Sequence, residues 1–263
     1  SPGPLIEKDR SNNFLINIAI LLRSYAFTRL NADVILLTSF FEGYEDNSII
    51  SFSDIFNLPP IATIFYDLIP LIKADIYLDT NPNFKKYYFM RLKEMSNINC
   101  FLAISESSAI EAKTYFDCSN RLVSNISSAC NKQLFRFKEN NLKNLDRNKN
   151  FILYSGAADP RKNLKRLIDA YANCAPKIIS KFKLLLVGKF LPIENTAIKK
   201  WIKDAGIPDK NVILLGHVSD EKLVELYQEC SLFIFPSLHE GFGLPALEAM
   251  TCGAVVIGSN TTS

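Results

Sequence analysis

Histidine is scarce in this sequence, two residues in 263, and the six cysteines show no Cys-x-x-Cys spacing to join with it. A tetrahedral zinc site draws on such pairs, so none is expected. No Asp-x-Asp pair stands ready to present a divalent cation to a diphosphate either. The reading is of a protein without metal or cofactor. Cys100, Cys118, Cys130, Cys174, Cys230 and Cys252 are scattered, several within apolar runs where a thiol acts as a small hydrophobe. That usage suits a reducing cytoplasm.

Charge of one sign is also lacking: 30 basic against 27 acidic residues leave +3, with the lysines dispersed. This excludes the concentrated basic footprint of a nucleic-acid binder. Long apolar runs are missing as well. Phe14–Leu22 is interrupted by Asn17 and closed by Arg23, short of the ~20 residues of a bilayer span. Glu7 and Asp9 precede it where a secretory leader would be basic. What is present, 48% hydrophobic and 22% charged residues, fits a soluble globular chain, long enough for two domains.

From Phe151 onward, apolar runs alternate with helical patterns. Phe151–Ser155, Leu184–Val187, Val212–Leu215, Leu232–Phe235 and Val255–Ile257 read as parallel strands. Between them Leu164, Leu167, Ile168, Tyr171, Ala172 and Ala175 recur at helical spacing, as do Ile198, Trp201, Ile202 and Ala205. A third helix starts from a Ser219 cap, with Asp220 and Glu221 in its first turn. Pro245 and Gly253 bracket a fourth. This order predicts an open α/β sheet with ligands beyond the carboxyl ends of its strands. Function is therefore sought in Gly156–Asn163, Gly216–Ser219 and Pro236–Leu244. The N-terminal half offers strands at Val34–Leu37, Ile61–Phe65 and Phe101–Ile104. The stretch Lys138–Asn150, rich in asparagine, reads as the linker. The domains are placed at 1–148 and 149–263.

Within the first of those loops, Arg161 and Lys162 immediately precede a helix whose free N–H groups already favour an anion. Cations there oppose the helix dipole, so either they serve a diphosphate or they are solvated first-turn residues. In the loop leading to Pro245, Gly241 and Gly243 let backbone approach a ligand. Glu240 in the loop and Glu248, assigned to the first helical turn, are placed to accept hydrogen bonds from sugar hydroxyls. The alternatives are a solvated loop charge for Glu240 and dipole complementation for Glu248.

The segment Glu240–Glu248, with seven residues between its glutamates, resembles the E-x7-E signature of glycosyltransferase family 4, glycosyl transferases group 1. Pro160-Arg161-Lys162-Asn163, Leu186-Val187-Gly188, Gly216-His217-Val218-Ser219-Asp220-Glu221 and Phe235-Pro236-Ser237 follow the family's order. The resemblance implies a GT-B fold, two Rossmann-like doubly wound domains facing a cleft, with acceptor on the first and nucleotide sugar on the second. It implies a retaining, metal-independent hexosyltransferase, with mannose from GDP-mannose the first expectation. The acceptor would be a glycan or lipid-linked glycan in surface polysaccharide synthesis. Arg161 and Lys162 would neutralise the diphosphate, and Glu240 would hold hydroxyls of the transferred sugar. Backbone N–H groups at Phe242, Gly243 and Leu244 would meet phosphate, and Glu248 the ribose. Gly156, Gly241 and His217 would complete the donor contacts. In the first half, Thr63–Leu71 resembles the family's strand-end segment, with Tyr66 where a histidine often stands and Asp67 as an acceptor-side candidate; Asp67 alternatively caps the Leu68 turn. Measured against the family pattern, the sequence is expected to be a core incomplete at both ends, from a longer transferase.

Two rival readings are a non-catalytic binding or assembly module and a dinucleotide-dependent oxidoreductase. For the oxidoreductase, Gly241-Phe242-Gly243-Leu244-Pro245-Ala246 fits G-x-G-x-x-A, but at the fourth strand of its domain rather than the first. Phe84–Leu92, with Lys85, Lys86, Arg91, Tyr87, Tyr88 and Phe89, is either a peripheral contact with the inner face of a membrane or an ordinary surface helix.

Overall fold

The computed structural model describes residues 13–44, 46, 48–137 and 150–262. It comprises two compact units, Ser1–Ser127 and Ser128–Ser263. The assigned boundary at 148, and the linker apart from Asn150, lie outside the described residues.

The first unit runs α1 (Asn13–Arg29), β1 (Ile35–Leu37), β2 (Ile61–Phe65), α2 (Ile69–Ile72), α3 (Ala74–Tyr77), α4 (Pro82–Met95), β3 (Cys100–Ala103), α5 (Glu106–Tyr115) and β4 (Leu122–Asn125). Its four strands are parallel in the order β1-β2-β3-β4. Ile35, Leu37, Phe65 and Phe101 fill the core with Leu68 and Met95. Helix α4 begins where Asn81 Oδ1 accepts the Phe84 N–H at 3.1 Å and Pro82 supplies a preset φ. Its 100° step divides the basic-aromatic segment of the sequence. Tyr88 and Arg91 turn inward, each 2% exposed, while Lys85, Lys86 and Phe89 face out. Arg91 and Tyr88 thus belong to the interior, not to a membrane-facing surface.

The second unit contains β5 (Phe151–Ser155), α6 (Leu164–Ala172), α7 (Pro176–Lys181), β6 (Lys183–Val187), α8 (Pro192–Asp204), β7 (Val212–Gly216), α9 (Asp220–Glu229), β8 (Leu232–Phe235), α10 (Leu244–Thr251) and β9 (Val256–Gly258). The five expected strands are present, all parallel, in the order β7-β6-β5-β8-β9. Burial of Leu164, Leu167, Ile168 and Tyr171 fixes α6 on the sheet. The helix stops at Ala172 instead of reaching Ala175, because Ala175 precedes Pro176 and is held extended (φ −56°, ψ 142°). Ser219 caps α9, its Oγ accepting the Lys222 N–H. Residues expected to lead into the linker pack onto this unit: Phe135 is buried with Tyr227 and Phe233, and Gln228 Nε2 donates to the Arg136 carbonyl at 2.8 Å.

The strand order reverses between β5 and β8. Chain leaving β5 turns one way and chain leaving β8 the other, so their following loops flank an open crevice. At the same end of the sheet a glycine directly follows β5 and β6, and another closes β7. Gly156 N–H donates to Val187 O at 2.9 Å and Gly188 N–H to Gly216 O at 3.0 Å. A Cβ on Gly188 would stand 1.9 Å from the Gly156 carbonyl oxygen, so no side chain fits. Among the described residues no helix is long and apolar enough to cross a membrane.

Candidate active site

After β5, Asp159 Oδ1 accepts the Arg161 N–H at 2.9 Å and starts a single 3-10 turn, Pro160–Lys162. Asn163 ends that turn in the left-handed region, φ +60°, a conformation asparagine tolerates better than most residues. The two cations therefore ride on a turn of their own, not on the first turn of α6. From there they cross to the loop after β8. Leu238 N–H donates to Arg161 O at 2.7 Å, and Asn163 Nδ2 donates to Pro236 O at 3.1 Å. Arg161 Nη1 reaches the His239 carbonyl at 3.1 Å and Glu240 Oε2 at 2.7 Å. Lys162 Nζ takes Glu240 Oε1 at 2.6 Å and lies 5.5 Å from the Phe235 ring centre. Thr262 Oγ1 accepts the Glu240 N–H at 3.0 Å.

Glu240 is only 8% exposed. Burial alone would raise its pKa, but the Lys162 hydrogen bond and the charges of Lys162 and Arg161 outweigh it and hold the carboxyl below the usual glutamate range. The acid is thus ionised with both oxygens engaged, shared by two cations. Asp159, 3.7 Å from Arg161 Nε, adds a more distant negative charge. Beneath the turn, Tyr154 is buried and donates to Ala157 O at 2.6 Å; burial, then the Glu240 charge, pushes its phenol well above its ordinary pKa. Gly156 fits because a Cβ would fall 2.9 Å from that phenol oxygen.

Gly241 is buried, and Gly243, at φ +100°, turns the chain into α10. The N–H groups of Phe242, Gly243 and Leu244 make no hydrogen bond with a described residue. They point from a helix start, where partial positive charge collects. Glu248 lies in the second turn of α10, not the first, since the helix opens at Leu244. Dipole complementation is therefore not its role. Its half-buried carboxyl is raised by burial, and the charge of Asp220 adds to the shift. His217 is exposed in the short loop from Gly216 to Ser219. In the first unit, Tyr66 is half exposed just past the end of β2, and Asp67 Oδ1 accepts the Ile69 N–H at 3.0 Å, capping the turn. Buried Glu111, which the sequence did not single out, holds the Leu68 N–H at 2.7 Å.

Arg161, Lys162 and Glu240 are thus one cluster at the switch point. Tyr154, Asn163 and Thr262, which position them, carried no signal in the sequence beyond Asn163 standing in the Pro-Arg-Lys-Asn run.

A doubly wound parallel sheet whose switch point gathers cations beside a helix entrance is a Rossmann-like domain of the kind that receives anionic ligands. Residues 135–263 match the family of glycosyl transferases group 1. The serotype-specific mannosyltransferase WbdA of Escherichia coli is 36% identical over 249 residues, covering 92% of this chain and 30% of that protein. Sucrose-phosphate synthase from Thermosynechococcus elongatus is similar in structure with TM-score 0.70 at 20% identity, covering 99% of this chain and 64% of its own. Anabaena Alr3699/HepE, in complex with UDP and glucose, gives 0.60 at 20% identity over 78% of this chain and 54% of its own. The match to the glycosyl transferases group 1 falls within the second unit, and the fold is the GT-B-type, Rossmann-like fold of the transferases. The chain spans about three-tenths of the length of its WbdA relative.

Proposed function

We propose that this chain carries the donor chemistry of a retaining, metal-independent mannosyltransferase that takes mannose from GDP-mannose to a glycan or lipid-linked glycan acceptor in surface polysaccharide synthesis. The observation that carries the reading is the pair Arg161 and Lys162 on the single carboxylate of Glu240, at the switch point and next to the N–H groups of Phe242, Gly243 and Leu244. The name of the WbdA relative supports the sugar, and the UDP in the HepE complex supports a nucleotide-bound donor.

On this reading the two cations and the helix entrance neutralise the diphosphate as it departs, which is where charge develops. The leaving phosphate then takes the acceptor proton from the face it has just vacated, so the anomeric configuration is kept. Glu240 holds sugar hydroxyls, Glu248 the ribose, with Gly156, Gly241 and His217 near the donor and Tyr66 and Asp67 on the acceptor side. Cations fixed in the protein take the place of a metal. On this reading the protein acts in the cytoplasm, peripheral to the inner face of the membrane through the outward residues Lys85, Lys86 and Phe89.

Calorimetry with GDP, UDP, dTDP and ADP, followed by transfer assays with EDTA, tests the reading. GDP should bind, Arg161→Ala or Lys162→Ala should weaken it by about tenfold or more, and EDTA should leave turnover unchanged. Absence of binding by any of the four nucleotides would sink the proposal. A β-mannoside product would sink retention, and loss of turnover in EDTA would sink metal independence.

A further inference from the structure

The first unit has a concavity at the end of its sheet opposite Tyr66 and Asp67. Two cavities adjoin at the amino ends of β2, β3 and β4. One, of about 280 Å³, is walled by Ser51, Phe52, Asp54, Phe56 and Glu94. The other, of about 250 Å³, is walled by Asp117, Ser119, Asn120 and Arg121. They share Asn97, Ile98 and Asn99. Each is near the ~300 Å³ floor of ligand sites, so together they make a run suited to a short stretch of chain.

The wall is rigid for a structural reason. Arg91, 2% exposed, donates to Phe40 O at 3.1 Å and Ser51 Oγ at 2.9 Å and pairs with Glu94. Ser51 Oγ in turn donates to Glu94 at 2.8 Å, and Arg23 Nη1 holds the Ile50 and Ser51 carbonyls. A hydrogen-bonded network anchored on a buried guanidinium fixes the side chains that face outward from it.

The lining decides the ligand class. Glu94 is paired with Arg91 behind the wall, and Arg121 is the one cation lining the run, with Asp54 and Asp117 beside it, so the walls offer no basic cluster to hold a phosphate, a nucleotide or an anionic lipid headgroup. Asparagine dominates the shared stretch, and an amide donates and accepts at once, as does a sugar hydroxyl. Asn99 uses its Oδ1 on the Ile61 N–H at 2.8 Å, leaving its Nδ2 protons for what fills the cavity. Phe52 and Phe56 supply apolar surface to meet the C–H face of a pyranose ring.

We propose that this run is a second carbohydrate subsite, which grips neutral acceptor glycan away from its reacting end. The substrate class rests on the function proposed above; the groove itself does not. Saturation-transfer NMR and calorimetry with neutral manno-oligosaccharides of increasing length, without donor, test it. The wild-type chain should bind longer oligosaccharides more tightly. The exposed side chains of Asn97 and Asn120 make no hydrogen bond with a described residue, and the Asn97 backbone N–H keeps its bond to Glu94 O whatever the side chain, so N97A/N120A should fold normally. It should bind oligosaccharide about tenfold more weakly, as the loss of one or two hydrogen bonds implies, and bind GDP as before. KM should rise for long acceptors and not for short ones. Oligosaccharide binding that is absent from the wild type, equal in the variant, or replaced by binding of a lysine-rich peptide overturns the proposal. Failure of GDP to bind would instead count against the donor chemistry, so the two readings fail separately.

Discussion

Replacing Glu240 by Gln separates the two jobs its carboxylate performs. The side chain keeps its shape and one carbonyl acceptor but loses the charge that Arg161 and Lys162 share at 2.7 and 2.6 Å. The three side chains are 11%, 21% and 13% exposed, so solvent screening is partial. A contact at ~4 Å in a medium of effective dielectric ~20 is worth up to ~4 kcal/mol before desolvation is offset. A net loss of about 2 kcal/mol in the ligand-free protein is the reasonable figure, a fall of roughly 4–8 °C in Tm for a chain of this size. The cations so released are the ones assigned to the diphosphate. E240Q should therefore bind GDP about tenfold more tightly than wild type, and saturating GDP should raise its Tm more. Sugar transfer should nevertheless fall by about 10²-fold or more, because an ionised anchor for the sugar is gone. Calorimetry and thermal melting with and without GDP read both effects. If E240Q binds GDP no better than wild type while melting lower, the cations do not serve the diphosphate and the proposed division of roles is wrong.

The left-handed conformation of Asn163 and its bond to Pro236 O predict different costs for two substitutions. N163A should lose about 2 kcal/mol, from backbone strain plus a hydrogen bond, and N163G roughly half of that; equal denaturation midpoints would refute the conformational part. For Glu248 the raised carboxyl pKa means that stability is lost as pH rises through the folded value, and the cost persists above it. E248Q should accordingly melt above wild type near neutrality, with the gap closing toward about pH 4, the ordinary glutamate range. Glu240 has the opposite sign. Its contribution is present above the unfolded pKa and is lost as pH falls through the depressed folded value, so melting of wild type and E240Q should converge in acid.

The sheet of the second unit was legible because parallel strands are covered on both faces and read as unbroken apolar runs, as Phe151–Ser155 does. Strand β4 escaped notice for the complementary reason: Leu122–Asn125 is an edge strand with no buried residue. The acid and the two cations of the site were individually visible. That Glu240 holds both cations was not, since the partners stand 79 and 78 positions apart and only the reversal of strand order brings their loops together. Thr262 supports Glu240 from 22 residues away, a contact with no local pattern. Glu248 was misplaced by a turn because Pro245 marks a helix start only to within a residue or two, and α10 opens at Leu244.

The glycine endings of β5, β6 and β7 bear on how such a site would be mapped. Truncation experiments find residues by removing side chains, and Gly156, Gly188 and Gly216 have none to remove. A scan that walks the crevice residue by residue would record silence along this ledge, although any ligand resting there meets peptide groups directly. Enlarging substitutions, not deleting ones, are the informative probes, and at Gly188 even a methyl group collides with the neighbouring strand end.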